Sequence, residues 1–336
     1  MSDSLPAAVP GFARDSVNLA SGGLGAEGIF VTDEFFAPLT RMLDDKPAVF
    51  IEDKYDDNGK WMDGWESRRK RVLGHDTAIV RLATAGRIDG FDVDTSHFTG
   101  NYPPAARIEA CTATGDPDET TEWTEVLETS PLGPDAHHYF ASSTDGIFTH
   151  VRLHIYPDGG VARLRVFGQP HLDAATVGDA EIELSASLNG GRIVGFSDAH
   201  YGAYHRLLAP GRGENMGDGW ETSRRRVPGN EWIVIALGAR GVLSGAIVDT
   251  AYFKGNFPDS CSIQAADMSD FGADARDAII TASMFWPELI APQKLKADHV
   301  HDLSAQIADI GPVTHVRLNI FPDGGVSRLK LSGRIA

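Results

Sequence analysis

Two cysteines in 336 residues are too few for a disulfide framework or a cysteine-built zinc centre. Cys111 and Cys261 also stand at unmatched places when the chain is laid over itself, where they face Ala266 and Ala106. Reduced thiols and a cytoplasmic location are the expectation. Positive charge is scarce as well: Lys and Arg number 30 against 47 Asp and Glu, a net charge of -17. Nucleic acid and anionic membrane both demand cationic protein, so neither is expected as a partner. A small anionic substrate held by local arginines is compatible with that balance. No apolar run approaches the ~18 residues of a membrane span. Met1-Ser2-Asp3-Ser4-Leu5-Pro6 has no basic segment leading into an apolar core, so no secretory signal is expected. Gly333-Arg334-Ile335-Ala336 carries no peroxisomal address. A serine nucleophile elbow, a phosphate loop and a dinucleotide fingerprint are missing. The glycines of Ser21-Gly22-Gly23-Leu24-Gly25 precede β-type sequence and make a poor phosphate cradle.

What the chain does have is itself, twice. Trp61-Met62-Asp63-Gly64-Trp65-Glu66-Ser67-Arg68-Arg69-Lys70-Arg71 returns as Met216-Gly217-Asp218-Gly219-Trp220-Glu221-Thr222-Ser223-Arg224-Arg225-Arg226. Val93-Asp94-Thr95-Ser96-His97-Phe98-Thr99-Gly100-Asn101-Tyr102-Pro103 returns from Val248 to Pro258, and Thr149 to Gly160 returns from Thr314 to Gly325. A repeat of this length is a domain, not a solenoid unit. The division is a leader at 1–16, a first repeat at 17–172 and a second at 178–336. The spacing between copies changes along the chain. The first copy thereby gains a longer loop between Pro38 and Trp61, and the second an insertion between Ala266 and Pro312. Unequal loops on equal scaffolds are where function diverges.

The shared blocks read as strands. From Thr149 to Tyr156, Val151, Leu153 and Ile155 point one way, and His150, Arg152, His154 and Tyr156 the other. Pro157-Asp158-Gly159-Gly160 then reads as a hairpin turn into a returning strand from Val161 to Phe167, with Ala162, Leu164 and Val166 on the core side. Ala78–Leu82 and Ile88–Val93 read as a second strand pair around Gly86. Helix is expected only over Glu34–Leu43, capped by Thr32-Asp33, and in part of the insertion after Asp267. Many short strands with Gly and Pro turns give an all-β protein: two tandem jelly-roll β-sandwiches related by internal duplication.

Each candidate site residue has a functional and a structural reading. Asp63-Gly64-Trp65-Glu66 places acids and an indole where a polar molecule could bind, with Gly64 allowing close backbone approach; a β-turn with a core Trp explains it equally. Arg69 suits bidentate carboxylate recognition, or a salt-bridge ladder. Asp94, His97 and Asn101 follow the end of an apolar strand. His97 offers a titratable group there, whereas a structural turn needs only Asp94 and Asn101 bonding backbone amides. His150 and Arg152 share a sheet face, for anion binding with acid–base work or as a solvated outer surface. His75-Asp76 and Asp298-His299-Val300-His301-Asp302 lack a third ligand at metal spacing, so no metal site is assigned. Glu66, Arg69, Asp94, Asn101, His150 and Arg152 recur in the second copy; His97 and His75 are replaced by Tyr252 and Asn230. That asymmetry places the chemistry in the first copy.

Asn18-Leu19-Ala20-Ser21, Thr32-Asp33-Glu34-Phe35-Phe36-Ala37-Pro38, Lys60 to Glu66, Asp94 to Pro103 and the two His-Val-Arg-Leu…Pro-Asp-Gly-Gly segments resemble the allantoicase (allantoate amidinohydrolase) family over roughly 17–334. The resemblance implies jelly rolls of the galactose-binding-like type and a homo-oligomer. It also implies hydrolysis of allantoate to ureidoglycolate and urea in purine and allantoin breakdown. Allantoate carries one carboxylate and two ureido groups on one carbon. The roles that chemistry suggests are Arg69 or Arg152 for the carboxylate, with Glu66, Asp94 and Asn101 for the ureido groups. His97 or His150 would transfer the proton, and Glu66 is a further catalytic candidate. Asp63 and Trp65 complete the substrate-binding set. No cofactor is required on this reading, although a divalent metal is compatible with it. Two alternatives are a non-enzymatic jelly roll that binds a sugar or ureide, stacking it on aromatics such as Trp61, and a metal-dependent enzyme of the cupin kind.

Overall fold

The computed structural model describes residues 9–172, 177–272 and 275–336, without the side chains of 14 and 15. The first eight residues of the expected leader lie outside these. The described residues form two compact units that part between His171 and Leu172. Most of the expected boundary segment, 173–176, also lies outside the described residues.

The first repeat is built from twelve strands: β1 (Val17–Asn18), β2 (Glu27–Val31), β3 (Tyr55–Asp56), β4 (Gly59–Lys60), β5 (Trp65–Glu66), β6 (Asp76–Asp94), β7 (Ala105–Cys111), β8 (Thr124–Pro131), β9 (Tyr139–Ala141), β10 (Ile147–Tyr156), β11 (Gly160–Val161) and β12 (Arg163–Pro170). Their order is β1-β12-β6-β10-β7-β8, with β2 and β9 also on β6. The second repeat copies it with β13 (Ile182–Glu183), β14 (Arg192–Phe196), β15 (Trp220–Glu221), β16 (Glu231–Asp249), β17 (Ser260–Ala266), β18 (Glu288–Lys294), β19 (Val300–Asp302), β20 (Val313–Phe321), β21 (Gly325–Val326) and β22 (Arg328–Ile335). Its order is β13-β22-β16-β20-β17-β18. The expected pair of jelly-roll sandwiches is what forms.

Four local expectations are corrected. The segments on either side of Gly86 are one strand, β6, not a hairpin. The N-terminal half of β6 pairs with β2 and β10, and its C-terminal half with β12 and β9, so one strand serves both layers of the sandwich. Gly86 sits at the changeover, paired to both Phe148 and Pro170. A Cβ there would lie 2.7 Å from the carbonyl of Gln169, so only glycine passes. Nor is Pro157–Gly160 a hairpin turn. β10 pairs with β6 and β7, whereas β12 pairs with β6 and β1, so this segment carries the chain across β6 to its other edge. Glu34–Leu43 is not a helix. Phe36 and Ala37 donate to the carbonyl of Glu66, which holds the chain extended, and only Leu39–Leu43 coils, as a 3-10 turn. The helix expected in the second-repeat insertion does form, as Arg276–Ala282. Residues 9–16 are not loose: helix Gly11–Asp15 brings Phe12 against Phe167, and Ser16 Oγ donates to Asp89.

Alternation packs Val80, Phe91, Val93, Ile108, Val151, Leu153, Ile155, Leu164 and Val166 into the first core, where Trp65 also lies. Beside this core stands a buried cation. Arg163 is 1 % exposed. Its Nη2 donates to Asp63 Oδ2 at 2.8 Å, and its other nitrogens donate to the carbonyls of Arg41, Lys46, Asp63 and Ala162. Arg328 and Asp218 repeat the pair in the second unit, also at 2.8 Å. A guanidinium with both carboxylate and carbonyl acceptors is a stable way to bury charge; one deprived of its carboxylate is not. Asp63→Ala is therefore expected to lower unfolding free energy by about 3–5 kcal/mol, measured by urea denaturation. A loss under about 1 kcal/mol would show that the carbonyls alone satisfy Arg163.

Candidate functional site

The Arg163–Asp63 pair holds the Asp63–Glu66 segment against β11 and β12. Gly64 allows that approach: a Cβ would lie 2.6 Å from Cα of Ala162. The close contact is with the protein's own backbone, not with a ligand. Strand β5 then pairs with β11, Glu66 opposite Gly160 and Trp65 opposite Val161. Because side chains alternate, Trp65 points inward, fully buried, with its Nε1 donating to the Asp33 carbonyl at 2.8 Å. Glu66 points outward, into a cavity of about 540 Å³ lined by Phe36, Glu66, Arg69, Lys70, Asn101 and Asp158, among others.

Asn101 Nδ2 donates to Glu66 Oε1 at 2.7 Å. Burial pushes the Glu66 carboxyl up; the Asn101 hydrogen bond opposes this and the nearby Asp56 carboxylate adds to it, leaving the net value above the ordinary 4.5. Asp56 sits on the β3–β4 hairpin within the longer first-copy loop, and Asn58 ties that hairpin to the Phe35 carbonyl at 2.7 Å. Arg69 is exposed on the cavity rim and forms no ion pair among the described residues. Lys70 Nζ is held by Asp76 at 2.6 Å and its backbone N–H by Asp158 at 2.8 Å. The cavity thus offers an unpaired guanidinium, an amide and a carboxyl of raised proton affinity.

Of the nine residues expected at a site, Glu66, Arg69 and Asn101 meet here. The others stand elsewhere. Trp65 is core, and Asp63 is spent on Arg163. Asp94 is 1 % exposed and accepts the Ser96 amide at 2.8 Å, the structural turn of the second reading. His97 adopts a left-handed backbone (φ 69°), as Tyr252 does in the other copy (φ 70°), so the turn explains the position in both. Its Nε2 lies 3.1 Å from the Ala48 carbonyl, outside the cavity lining. His150 is 1 % exposed and contacts Thr149 Oγ1 at 2.8 Å; burial holds its proton affinity below the ordinary value. Arg152 bonds Glu109 at 2.8 Å and lies over Trp123, on the outer face of β10. Trp61, the aromatic of the binding-protein alternative, already has Lys54 Nζ 3.7 Å from its ring.

Lys70 and Asp158 are additions that sequence reasoning missed. The available signal was Asp158 recurring as Asp323, which grips the Arg225 amide at the same 2.8 Å. The His299–His301 cluster is corrected too. His301 sits on β19, the counterpart of β9; it accepts the Lys296 amide and bonds the Val248 carbonyl of β16, as His138 does with Gly133 and with Val93 of β6 in the first copy. It therefore does not belong to a segment unique to one copy. Among the described residues, no group of three or more His, Cys, Asp or Glu is placed to hold a metal ion.

The allantoicase repeat family matches residues 17–171 and again 182–336. A probable allantoicase of Rhizobium meliloti (strain 1021) is 58 % identical over 98 % of this chain and 96 % of its own. One of Pseudomonas syringae pv. syringae (strain B728a) is 56 % identical over 95 % and 96 %. The crystal structure of allantoicase from Saccharomyces cerevisiae superposes with a TM-score of 0.81 at 33 % identity, covering 95 % of this chain and 93 % of that one.

His150 and its counterpart His315 make a stability prediction. Burial and Arg192 hold His315 down to about 4 against an ordinary 6.5. Above 6.5 neither the folded nor the unfolded chain binds this proton. As pH falls from 6.5 toward 4 only the unfolded chain does, so stability is lost across that window. His150 acts in the same direction. Thermal midpoints from pH 7 to 4.5 are expected to fall less steeply for His315→Gln than for the parent chain; equal slopes would remove His315 from the account.

Proposed function

Because the chain belongs to the allantoicase family and hydrolyses allantoate to ureidoglycolate and urea, we propose that it does so in the first-repeat cavity of Glu66, Arg69 and Asn101. The observation that supports this reading most is the Glu66–Asn101 pair facing an arginine with no carboxylate partner of its own among the described residues. Arg69 takes the substrate carboxylate through a charge-assisted pair of hydrogen bonds. Asn101 and the cavity backbone bond the ureido groups. The reaction breaks the bond from the central carbon to one ureido nitrogen and adds water at that carbon. One proton must leave the water and one must reach the departing urea nitrogen. Glu66, protonated more readily than an ordinary glutamate, supplies the latter, with its Oε1 fixed by Asn101.

The scheme routes no step through a metal. Chelator-treated protein that keeps its rate would support this; loss of rate restored by a divalent cation would overturn it. The buried free thiols of Cys111 and Cys261 support a cytoplasmic location. The family resemblance supports a homo-oligomer, which sedimentation equilibrium would test.

The direct assay is urea release from allantoate. Arg69→Ala is expected to raise KM by about 10–100-fold. Glu66→Gln is expected to lower kcat by about 10²–10⁴ and to abolish the alkaline descent of kcat/KM. That descent should lie above the ordinary glutamate value of 4.5. Normal rates in both variants would move the reaction out of this cavity.

A further inference from the structure

The charged and amide groups around the first-repeat cavity recur in the second unit together with their bonds. Strand β15 pairs with β21 so that Glu221 stands opposite Gly325 and Trp220 opposite Val326, as Glu66 and Trp65 stand opposite Gly160 and Val161. Trp220 is fully buried, so alternation turns Glu221 outward, as it does Glu66. Asn256 Nδ2 donates to Glu221 Oε1, as Asn101 does to Glu66. The Gly325 amide donates to the Asn256 carbonyl at 2.8 Å, and the Gly160 amide to that of Asn101 at 2.7 Å. Arg224 follows Glu221 by three residues, as Arg69 follows Glu66, and the backbone is pinned on both sides of it. The Thr222 amide donates to the Gly324 carbonyl at 3.1 Å and the Arg225 amide to Asp323 at 2.8 Å. The Ser67 and Lys70 amides make the same bonds around Arg69, at 3.1 and 2.8 Å. Arg224 therefore leaves the chain at the place from which Arg69 reaches its cavity.

A scaffold could demand such shared groups, and another part of the fold shows what the scaffold demands. Beside β10, His154 Nδ1 lies 2.9 Å from His75 Nε2, and His154 Nε2 lies 2.8 Å from Glu109 Oε2. The second repeat has Asn319, Asn230 and Gln264 at these places. It keeps the plan, with Asn230 Nδ2 donating to Asn319 Oδ1 at 3.4 Å and Asn319 Nδ2 to Gln264 Oε1 at 3.0 Å. Neutral amides are thus enough to bond these strands. Around Glu221 no such exchange has occurred: Glu221, Arg224 and Asp323 all keep their charged type. Arg224 is the most telling of them. It is exposed and, like Arg69, forms neither an ion pair nor a side-chain hydrogen bond among the described residues. A guanidinium without a protein partner does nothing to hold the strands, and it is what a ligand carboxylate requires. The surroundings differ. Between β14 and β15 the described residues hold only a 3-10 turn, Tyr204–Leu208, so the hairpin that carries Asp56 has no counterpart. His200 and Tyr201 instead bond the Glu221 carbonyl, where Phe36 and Ala37 bond that of Glu66.

We propose that the second repeat carries a second ligand site, formed by Arg224, Glu221 and Asn256, for a small carboxylate that bears a ureido group. The proposal rests on the cavity reading above, from which it takes the class of ligand. Arg224 pairs with the carboxylate; Glu221 Oε2 and Asn256 Oδ1 accept ureido N–H groups. The site binds without turnover, because the hairpin beside Glu66 is missing from it.

The test is calorimetric titration of the full chain with ureidoacetate. This probe has one carboxylate and one ureido group on a single carbon, and no second ureido group to release. The parent chain is expected to bind two molecules, Arg224→Ala one, Arg69→Ala one, and the double variant none. Arg224 is exposed, so its removal leaves the fold in place. A parent stoichiometry of one that Arg69→Ala removes and Arg224→Ala preserves would overturn the second site and leave the cavity reading standing. The reverse pattern would sink the cavity reading and keep the second site. Absence of saturable binding, or two molecules bound irrespective of Arg224→Ala, would also overturn the second site. Urea release from allantoate that persists in Glu66→Gln and disappears on adding Glu221→Gln would overturn binding without turnover.

Discussion

The fold around the site depends on one buried cation in each repeat. Arg163 gathers the carbonyls of Arg41, Lys46 and Asp63 and the Asp63 carboxylate onto the start of β12. Arg41 and Lys46 belong to the long first-copy loop, whose Leu39, Met42 and Leu43 are buried in the core, and Asp63 follows just after it. A guanidinium, with five donors in a fixed plane, can satisfy several backbone carbonyls at once; an ammonium cannot hold the same geometry. Once Asp63 is fixed, Gly64 packs on Ala162, Trp65 enters the core and Glu66 must face the cavity. The geometry of the cavity thus follows from a buried charge that is not part of its lining.

Duplication separates what the scaffold needs from what the chemistry needs. The buried arginine, the core Trp and the Glu–Asn bond occur in both units, Asn256 donating to Glu221 as Asn101 does to Glu66. Their recurrence shows that the pair is compatible with the scaffold alone, so the pair does not by itself locate catalysis. The first unit differs in its surroundings: an added hairpin carrying Asp56 beside Glu66, and ionisable groups where the second unit has amides. Loop and outer face diverge together while the sandwich stays constant, as expected when a rigid frame carries variable segments.

The architecture was legible because alternation and self-similarity are strong, local signals. Val151, Leu153 and Ile155 against His150, Arg152 and His154 fixed β10 and its faces. Connectivity was harder. Pro157-Asp158-Gly159-Gly160 has hairpin composition, yet the chain it serves crosses β6, and turn residues report curvature without reporting which strand receives the partner. β6 was read as two strands because Gly86 marks a crowded contact with Gln169, and crowding selects glycine as readily as a turn does. At the site, Glu66, Arg69 and Asn101 were readable as polar residues next to strand ends. Asp63 and Trp65 were misassigned because burial inverts their meaning: the same acid and indole serve a ligand when exposed and the core when enclosed.

Glu109 shows most clearly what sequence spacing hides. Alone in its strand, Ala105–Cys111, it is an acid on the outer face of a sheet, where charged residues are ordinary. It gains meaning only when β7 pairs with β10, bringing Glu109 opposite Arg152 and next to His154. His75 comes from a third segment, before β6. Glu109 and His154, 34 and 79 positions after His75 in sequence, cannot be grouped with it by spacing, because long-range pairing sets their distances. The second copy held the clue in its amides at 230, 264 and 319. A coordinated exchange of ionisable groups for neutral ones that keeps the hydrogen bonds separates what the copies do not share from the scaffold they do.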